Sequence, residues 1–306
     1  MHRIEALLPY RAPLEPSNLY GHLAATAVPG VEEWRGGAYR TAVRLAGGPA
    51  VLEARLPASG GVPVVAHLTD PRDETEAIGR LRRLLDLDAD PADVHRVLGA
   101  DAVLAPLVAA APGRRMPGTV DPPAMALRAV LGQQVSTAAA RTHAGRLVAA
   151  LGDPIEDPHG GLTRLFPAPE VLVARPDEVA DAVRMPRSRQ RALLTVAGAL
   201  AGGDLDLAAP AQAVRAAMIR LPGIGPWTAD TVLMRALGDP DAFLPGDLGV
   251  VAAARALGLP DAPRELETRS RAWSPCRGYA VQYLWATLPH AVNTLPADPA
   301  VGPHPA

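Results

Sequence analysis

Residues 221–250 read LPGIGPWTADTVLMRALGDPDAFLPGDLGV, and the stretch contains two glycines that a plain core helix would not use. Gly223 and Gly225 permit positive φ and leave no side chain in front of the backbone. Pro226 then suits the first turn of a following helix, where its missing N–H costs nothing. The N–H groups at that helix start form an anion site, whose natural ligand is a phosphate oxygen of a nucleic acid strand. For this motif alone, an ordinary tight turn with a glycine C-cap is the favoured alternative.

The composition limits the classes of protein that this chain can belong to. Its 306 residues suit two or three domains, and 48% hydrophobic with 20% charged residues is typical of a soluble globular protein. No apolar stretch could span a bilayer and no signal peptide is found, so we expect a cytoplasmic protein without a membrane partner. The single cysteine, Cys276, excludes a disulfide framework within the chain and any all-cysteine metal cluster. All 30 basic residues are arginine, so no lysine is available for Schiff-base chemistry.

The pattern of apolar residues changes near residue 90. Before it, alternation predicts strands at Ala38–Leu45, 51–56 and Val62–Leu68, followed by a helical face at residues 78–85. After it, helical periodicities follow one another, separated by short loops rich in proline and glycine. We therefore predict an α+β fold, with an N-terminal antiparallel sheet-plus-helix domain followed by helical domains.

Five further motifs occur in a fixed order along the chain. LYGHLA stands at 19–24, LGQQVS at 131–136, MPRSRQR at 185–191, FLPGD at 243–247 and WSPCRGYAVQYLW at 273–285. Together with the glycine hairpin they resemble the helix–hairpin–helix DNA glycosylases whose Gly/Pro-rich loop ends in aspartate. Within that superfamily the chain is most similar to DNA-3-methyladenine glycosylase II, and the resemblance extends from about residue 6 to 290.

The resemblance implies a division into domains around a DNA cleft. Residues 1–90 would form the α/β N-terminal domain, and 121–230 a helical domain that contains the helix–hairpin–helix. Residues 91–120 and 231–292 would form the helical domain that completes the cleft. The last residues, 293–306, include four prolines and are expected to be a flexible tail.

The resemblance also implies an activity, namely base excision repair of double-stranded DNA by hydrolysis of the N-glycosidic bond of alkylated, mainly purine, bases. Bifunctional relatives similar to endonuclease III carry a lysine at the position of Trp227, so we predict a monofunctional glycosylase without lyase activity. A monomer that requires no cofactor is expected. Two alternatives are a non-catalytic helix–hairpin–helix protein that binds DNA damage and a general interaction module of the same motif.

Asp247 is the predicted catalytic residue. Breaking an N-glycosidic bond builds positive charge on the deoxyribose, which a fixed carboxylate can stabilise. Its position after Pro-Gly and before an apolar helix favours an N-cap on pattern alone, and the two roles are compatible. Asp230 is the rival carboxylate, but it lies inside the hairpin helix.

The resemblance places Trp227 and Trp285 in the pocket for the flipped base, where indole faces attract a cationic purine by about 0.5 to 2 kcal/mol. Helix packing is the alternative role for each aromatic residue. For Tyr279 and Tyr283, packing and a place in the pocket are equally supported. The rest of the predicted pocket is Gln133, Tyr279, Tyr283 and His22.

The predicted DNA contacts come from the hairpin, the LGQQVS turn and an arginine cluster. Gln134 is expected to fill the gap left by the flipped base, with helix capping as the alternative. For the arginines, a solvated face is the alternative to phosphate contact. A structural Na⁺ or K⁺ bound by the carbonyls of Leu221 and Gly223 rests on the resemblance alone. The full set of predicted DNA-binding residues is Gly223, Ile224, Gly225, Thr228, Gln134, Arg187 and Arg189.

Overall fold

The computed structural model describes residues 1–297 of the chain. Five strands form one antiparallel sheet in the order β1-β5-β4-β3-β2. The strands are β1 (His2–Leu8), β2 (Glu32–Arg35), β3 (Ala38–Leu45), β4 (Gly48–Arg55) and β5 (Val62–Leu68). The three central strands match the prediction, whereas the two edge strands were not predicted. β1 and β2 are rich in charged residues, which suits sheet edges but hides the apolar alternation.

The two faces of the sheet are covered by different parts of the chain. On one face, Leu52 and Leu68 belong to a core shared with the first two helices. On the other face, Ala42 and Val51 pack against Leu162 and Leu165 from the loop that joins the sixth and seventh helices. The sheet is therefore enclosed on both sides, and the second cover comes from the helical part of the protein.

Fourteen α-helices lie within residues 1–297, most of them after residue 90. They are α1 (Ser17–Thr26), α2 (Glu74–Leu84), α3 (Pro91–Leu98), α4 (Ala105–Ala110), α5 (Pro122–Leu131), α6 (Thr137–Leu151), α7 (Pro169–Ala174), α8 (Pro176–Val183), α9 (Arg187–Ala201), α10 (Ala211–Arg220), α11 (Pro226–Val232), α12 (Leu248–Ala256), α13 (Pro263–Ser270) and α14 (Arg277–Ala286). The predicted α+β fold class is confirmed by this architecture. In the same residues, none of the helices is both long and apolar enough to cross a bilayer.

Capping side chains and prolines explain where many helices begin. Asp90, Asp121 and Ser136 each accept a hydrogen bond from a backbone N–H in the first turn of α3, α5 and α6. Proline at the first or second position also starts α3 and α5, where its missing N–H costs no hydrogen bond within the helix. These local signals define where the helices begin.

One continuous apolar core joins the helices from α3 to α14. α5 lies within it, since Ala126, Leu127, Val130 and Leu131 are all buried on this short helix. α5 packs against α9, α6 and α11, and it ends at the LGQQVS turn. The core therefore sets the position of that turn relative to the glycine hairpin that precedes α11.

The described part of the predicted tail is packed onto the body of the protein. The 3₁₀ turn Ala291–Asn293 lies against α1, and the Asn293 side chain donates to the carbonyls of Trp285 and Leu288. Gly21 of α1 allows this contact, because a Cβ there would lie 2.3 Å from the Thr294 carbonyl oxygen. Residues 298–306, the remainder of the predicted tail, lie outside the described residues.

A buried polar link joins α14 to the loop between α2 and α3. The Asp86 carboxylate accepts hydrogen bonds from the Met116 N–H (3.0 Å) and from the Tyr279 hydroxyl (2.9 Å). Asp86 also has a positive φ of 51°, which asparagine tolerates as well as aspartate. Burial raises the pKa of Asp86 to about 6.

We predict that Asp86→Asn stabilises the protein at neutral pH and not at pH 4. A carboxyl group whose pKa is raised on folding stabilises the folded state at pH values below its pKa in the unfolded chain. That stabilisation is lost as the pH rises through its pKa in the folded protein. Since both hydrogen bonds need only an acceptor, the variant keeps them without a buried charge. The difference in free energy of unfolding between variant and wild type should grow by up to about 3 kcal/mol between pH 4 and 7. Denaturant unfolding at several pH values measures it, and a difference independent of pH would contradict the prediction. Asp181→Asn, a change at an exposed position on α8, serves as control.

Candidate active site

The glycine hairpin joins α10 to α11 through residues 221–225. Gly223 has a φ of +84°, and a Cβ at this position would lie 2.8 Å from the Ala192 Cβ on α9. Gly225 is the N-cap of α11, and no atom lies within 4 Å of the position its Cβ would take. Gly223 is therefore required by backbone conformation and by packing, while Gly225 keeps the approach to the helix start open.

An ion pair fixes the two hairpin helices to one another. Arg215 on α10 donates from Nε and Nη2 to the two carboxylate oxygens of Asp230 on α11, at 2.5 and 3.1 Å. Asp230 is buried, and this bidentate pairing leaves its carboxylate engaged. The rival of Asp247 thus serves the structure of the hairpin.

Gln133 ties the LGQQVS turn to the hairpin. Its Nε2 donates to the Gly223 carbonyl (3.1 Å) and to the Thr228 hydroxyl (2.9 Å). The backbone carbonyl of Gln133 accepts a hydrogen bond from the Arg189 guanidinium at 2.9 Å. The sequence predicts Gln133 in the base pocket and Arg189 on a phosphate. In the structure Gln133 bonds the turn to the hairpin, and Arg189 bonds α9 to the turn.

Gln134 lies at the tip of that turn with its side chain exposed. Its φ of 55° is in the left-handed region, which costs a non-glycine residue on the order of 1 kcal/mol or more. Such strain persists only where the surroundings hold it, and the bonds made by the neighbouring Gln133 supply that support. An exposed side chain on a strained backbone beside the hairpin suits the predicted role in filling a gap in DNA.

Asp247 accepts N–H groups from three helices. One carboxylate oxygen accepts from the Trp285 indole on α14 (2.8 Å) and from the Val250 amide of α12 (3.0 Å). The other accepts from the Trp227 indole on α11 at 3.0 Å. Asp247 is thus the N-cap of α12 and also the point where both indoles meet, so the two roles weighed from sequence occur together. The half-buried carboxylate is held in one orientation with acceptor capacity left over.

Gly249 allows Trp285 to approach Asp247. A Cβ on Gly249 would lie 3.0 Å from two atoms of the Trp285 ring and 3.2 Å from a carboxylate oxygen of Asp247. The indole therefore occupies space that any larger residue would fill. A glycine in the first turn of a helix carries no signal of its tertiary contacts, so this role of Gly249 could not be predicted from the sequence.

Arg235 lies behind Trp285 in the π-helical turn that continues α11, Leu233–Leu237. Its guanidinium carbon is 5.3 Å from the centre of the Trp285 ring, and Nη1 donates to the Pro117 carbonyl at 2.7 Å. Burial lowers the pKa of Arg235, and the negative charge of Asp247 opposes that change. A buried cation thus supports the rear of this indole, a contact that no sequence motif predicts.

The remaining predicted pocket residues are Tyr279, Tyr283 and His22. Tyr279 and Tyr283 are buried, with their hydroxyls on Asp86 and on the Ala111 carbonyl respectively, so they act in packing. His22 lines a cavity of about 20 Å³, far smaller than a nucleobase. Burial, followed by the nearby guanidinium of Arg235, holds the pKa of His22 well below its usual value.

The side chains of the hairpin are less available to DNA than the prediction supposed. Ile224 and Thr228 are buried, so only backbone groups remain accessible there, and the Thr228 amide already donates to the Gly225 carbonyl. The Leu221 carbonyl accepts from the Ile224 amide, and the Gly223 carbonyl accepts from Gln133. Each carbonyl retains a second lone pair for a cation. Arg187, at the start of α9, is exposed.

Leu248, directly after Asp247, is an exposed apolar side chain. It is 85% exposed at the first position of α12, beside the carboxylate that both indoles contact. A single exposed leucine is common on protein surfaces, but its place at this site makes it part of any surface that a ligand of Asp247 would cover.

Known proteins are similar to this chain in sequence. The family model of the AlkA N-terminal domain matches residues 5–121. The chain is 50% identical over 292 residues to the probable bifunctional transcriptional activator/DNA repair enzyme AlkA of Mycobacterium tuberculosis; the match covers 94% of this chain and 58% of that protein. It is 31% identical over 291 residues to DNA-3-methyladenine glycosylase 2 of Escherichia coli, covering 92% and 96% of the two chains. The chain thus spans just over half of the mycobacterial relative.

A solved structure extends the likeness to the fold. The 3-methyladenine DNA-glycosylase of Archaeoglobus fulgidus superposes with a TM-score of 0.78 at 22% sequence identity, covering 93% of this chain and 97% of the other. At this identity the comparison bears on the fold, which extends over both the sheet domain and the helices.

We predict that Gly249→Ala separates Trp285 from Asp247. Alanine favours a helix by about 0.5 to 1 kcal/mol over glycine, so a loss of stability would come from the clash with the indole. The Trp285 indole N–H resonance should shift more than that of Trp227, and the melting temperature should fall. The control is Gly198→Ala in α9, where no atom lies within 4 Å of the added Cβ. An unchanged Trp285 resonance would contradict the assigned contact.

Proposed function

The chain belongs to the AlkA family of DNA-3-methyladenine glycosylases, and from this premise we propose that it is a monofunctional DNA glycosylase. It would excise alkylated, mainly purine, bases from double-stranded DNA by hydrolysing the N-glycosidic bond. The observation that carries the proposal is the Asp247 carboxylate, on which two indole N–H groups from α11 and α14 converge beside the hairpin.

Asp247 would stabilise the sugar cation that forms as the base departs. At about 4 Å and an effective dielectric constant of about 20, a carboxylate attracts a unit positive charge by roughly 4 kcal/mol. That amount corresponds to about a thousandfold in rate if it acts on the transition state alone. Because three N–H donors already orient the carboxylate, little reorganisation is needed when the charge develops. Water would then take the place of the base on the sugar.

Trp227 and Trp285 would bound the pocket for the extruded base. A purine alkylated on a ring nitrogen is cationic, and an indole face attracts such a base by about 0.5 to 2 kcal/mol. One face of Trp285 is already taken by Arg235, so a base can use only the opposite face. We infer that cation–π attraction contributes modestly to selection and that the weakened glycosidic bond of a cationic base contributes more.

The DNA strand would be held by the backbone of the hairpin and by the exposed Arg187 at the start of α9. Gln134 would enter the duplex where the base has left the stack, a step that costs a few kcal/mol. We further propose that the protein acts in the cytoplasm as a monomer and requires no cofactor. A structural Na⁺ or K⁺ at the carbonyls of Leu221 and Gly223 remains part of the proposal.

Loss of the Asp247 charge should abolish turnover and leave the fold in place. Asp247→Asn keeps an acceptor for the α12 cap, so we expect base release from methylated duplex DNA to fall at least about 100-fold. The assay measures free methylated bases, with DNA binding and melting temperature measured in parallel. Asp90→Asn, a change at the N-cap of α3, is the matched control. If wild type binds damaged DNA and releases no base, the non-catalytic alternative replaces the proposal.

Substitution of Gln134 should separate strain from function. Both Gln134→Ala and Gln134→Gly are expected to slow excision from a paired lesion by about tenfold, with a smaller effect on single-stranded DNA, where no stack must be opened. Glycine also removes the cost of positive φ, so its variant should be at least as stable as wild type, by up to about 1 kcal/mol. Equal slowing on paired and single-stranded substrates would argue against insertion into the duplex.

The absence of lysine predicts that no covalent link to DNA forms through a side-chain amine. Borohydride treatment during turnover of a methylated duplex should trap no protein–DNA adduct, whereas a lysine-dependent bifunctional glycosylase should be trapped under the same conditions. The DNA product should carry intact abasic sites that break only on heating in alkali. A trapped adduct that maps within this chain would show lyase chemistry and contradict this part of the proposal.

A further inference from the structure

Two histidines and a glutamate meet on the sheet face that the loop between α6 and α7 covers. Glu53 lies on β4 and His67 on β5, while His159 belongs to the covering loop. One potential ligand atom from each residue lies within 4.8 Å of the other two. This cluster belongs to the N-terminal sheet and is separate from the indole–carboxylate site, and the proposed glycosylase function makes no use of it.

The distances are close to those of a metal site. Glu53 Oε1 lies 4.0 Å from His67 Nε2 and 3.7 Å from His159 Nε2. Ligands of a tetrahedral Zn²⁺ at about 2.0 to 2.1 Å are roughly 3.3 Å apart, so the two distances from Glu53 need to shorten by less than about 1 Å. The His159 side chain is half exposed, which leaves it free to move and gives an ion a path of entry.

His67 provides an independent sign of a missing partner. Its imidazole is buried, and Nε2, which faces Glu53, has no hydrogen-bond partner. A buried ring nitrogen without a partner is costly unless a ligand completes it. The nitrogen without a partner is the one that points at the candidate site, where Glu53 Oε1 lies 4.0 Å away.

The charge around the cluster is negative. The buried Arg40 guanidinium is paired with three carboxylates, those of Glu33, Glu53 and Asp157. Arg35, at the exposed rim, lies 3.4 Å from Glu33 and offsets part of this excess. Three carboxylates against two guanidinium groups leave one net negative charge, which a bound cation would offset. Arg3, which also acts on His67, is paired with Glu5 and does not change this balance.

We propose that Glu53, His67 and His159 bind one divalent transition-metal ion of the Zn²⁺ type, with solvent completing the coordination. Two imidazoles and a carboxylate with an open position are a common zinc ligand set. Arg40, which donates from Nε to Glu53 Oε1 at 3.1 Å, would hold the carboxylate ligand in its orientation.

The ion would fasten the covering loop to the sheet. The His159 backbone is already anchored, because its amide donates to Asp157 and its carbonyl accepts from Arg35. Coordination would add a direct bond from this loop to β4 and β5. Without it, the apolar contact between loop and sheet is small and consists of Leu162 and Leu165 against Val51. The effect would be on stability and on loop closure, not on chemistry at Asp247.

The test is Zn²⁺ binding by the full chain after removal of metal, measured by competition with a chromophoric chelator. We expect one Zn²⁺ per chain with micromolar or tighter affinity and a rise in melting temperature on binding. His159→Ala should weaken affinity at least tenfold and abolish the thermal shift, since the change removes an exposed ligand and leaves the core intact. His95→Ala, an exposed histidine on α3, is the matched control and should bind as wild type does.

A second variant separates ligation from folding. Glu53→Gln keeps an acceptor for Arg40 and removes the anionic ligand, so it should also weaken Zn²⁺ binding at least tenfold. Co²⁺ bound to wild type should give visible absorption bands of a low-symmetry site with four or five ligands. Equal Zn²⁺ affinity in wild type and His159→Ala, or no binding at 100-fold excess of Zn²⁺ over micromolar protein, would overturn the proposal.

Discussion

The carboxylate of Asp247 is the constraint on which the arrangement of the helices around the candidate site depends. It caps α12 and accepts one indole N–H from α11 and one from α14, so three helices must meet at a single side chain. Such a meeting demands close approach, and Gly249 provides it by leaving room for the Trp285 ring. Stabilising the helix and orienting the carboxylate are therefore achieved by one set of hydrogen bonds.

The surroundings of that carboxylate form a second layer of support. Arg235 lies against the rear of Trp285 from a π-helical turn, a distortion that is frequent at functional sites. On the hairpin side, Arg215 and Asp230 fasten α10 to α11, and Gln133 bonds the hairpin to the turn that ends α5. The same turn holds Gln134 in a left-handed conformation. Polar contacts thus fix the two features that would meet DNA, the open helix start and the strained tip, relative to one another.

The N-terminal sheet is joined to the helices by polar contacts as well as by packing. Asp86 receives the hydroxyl of Tyr279 from α14, and Arg40 on β3 reaches the loop between α6 and α7 through Asp157. Both contacts are buried and involve charged groups, so each specifies one relative position of its two elements more sharply than apolar contact would. The histidine cluster lies beside the second of these contacts, where the covering loop has few apolar anchors.

The sequence by itself determined the fold class, the family and the residues whose role follows from local backbone chemistry. Gly223, Pro226 and Asp247 were identifiable because positive φ, a helix start and an N-cap are decided within a few residues. Trp227 and Trp285 were identified by resemblance, but the convergence of both indole N–H groups on one carboxylate was visible only in three dimensions. The tertiary structure alone decided the roles of Gln133, Arg235 and Gly249. It also decided that the side chains of Tyr279 and Tyr283 are buried in the interior. The physical reason is that side-chain partners far apart in sequence depend on helix packing, and a helix turned by one residue would present a different neighbour at every one of these contacts.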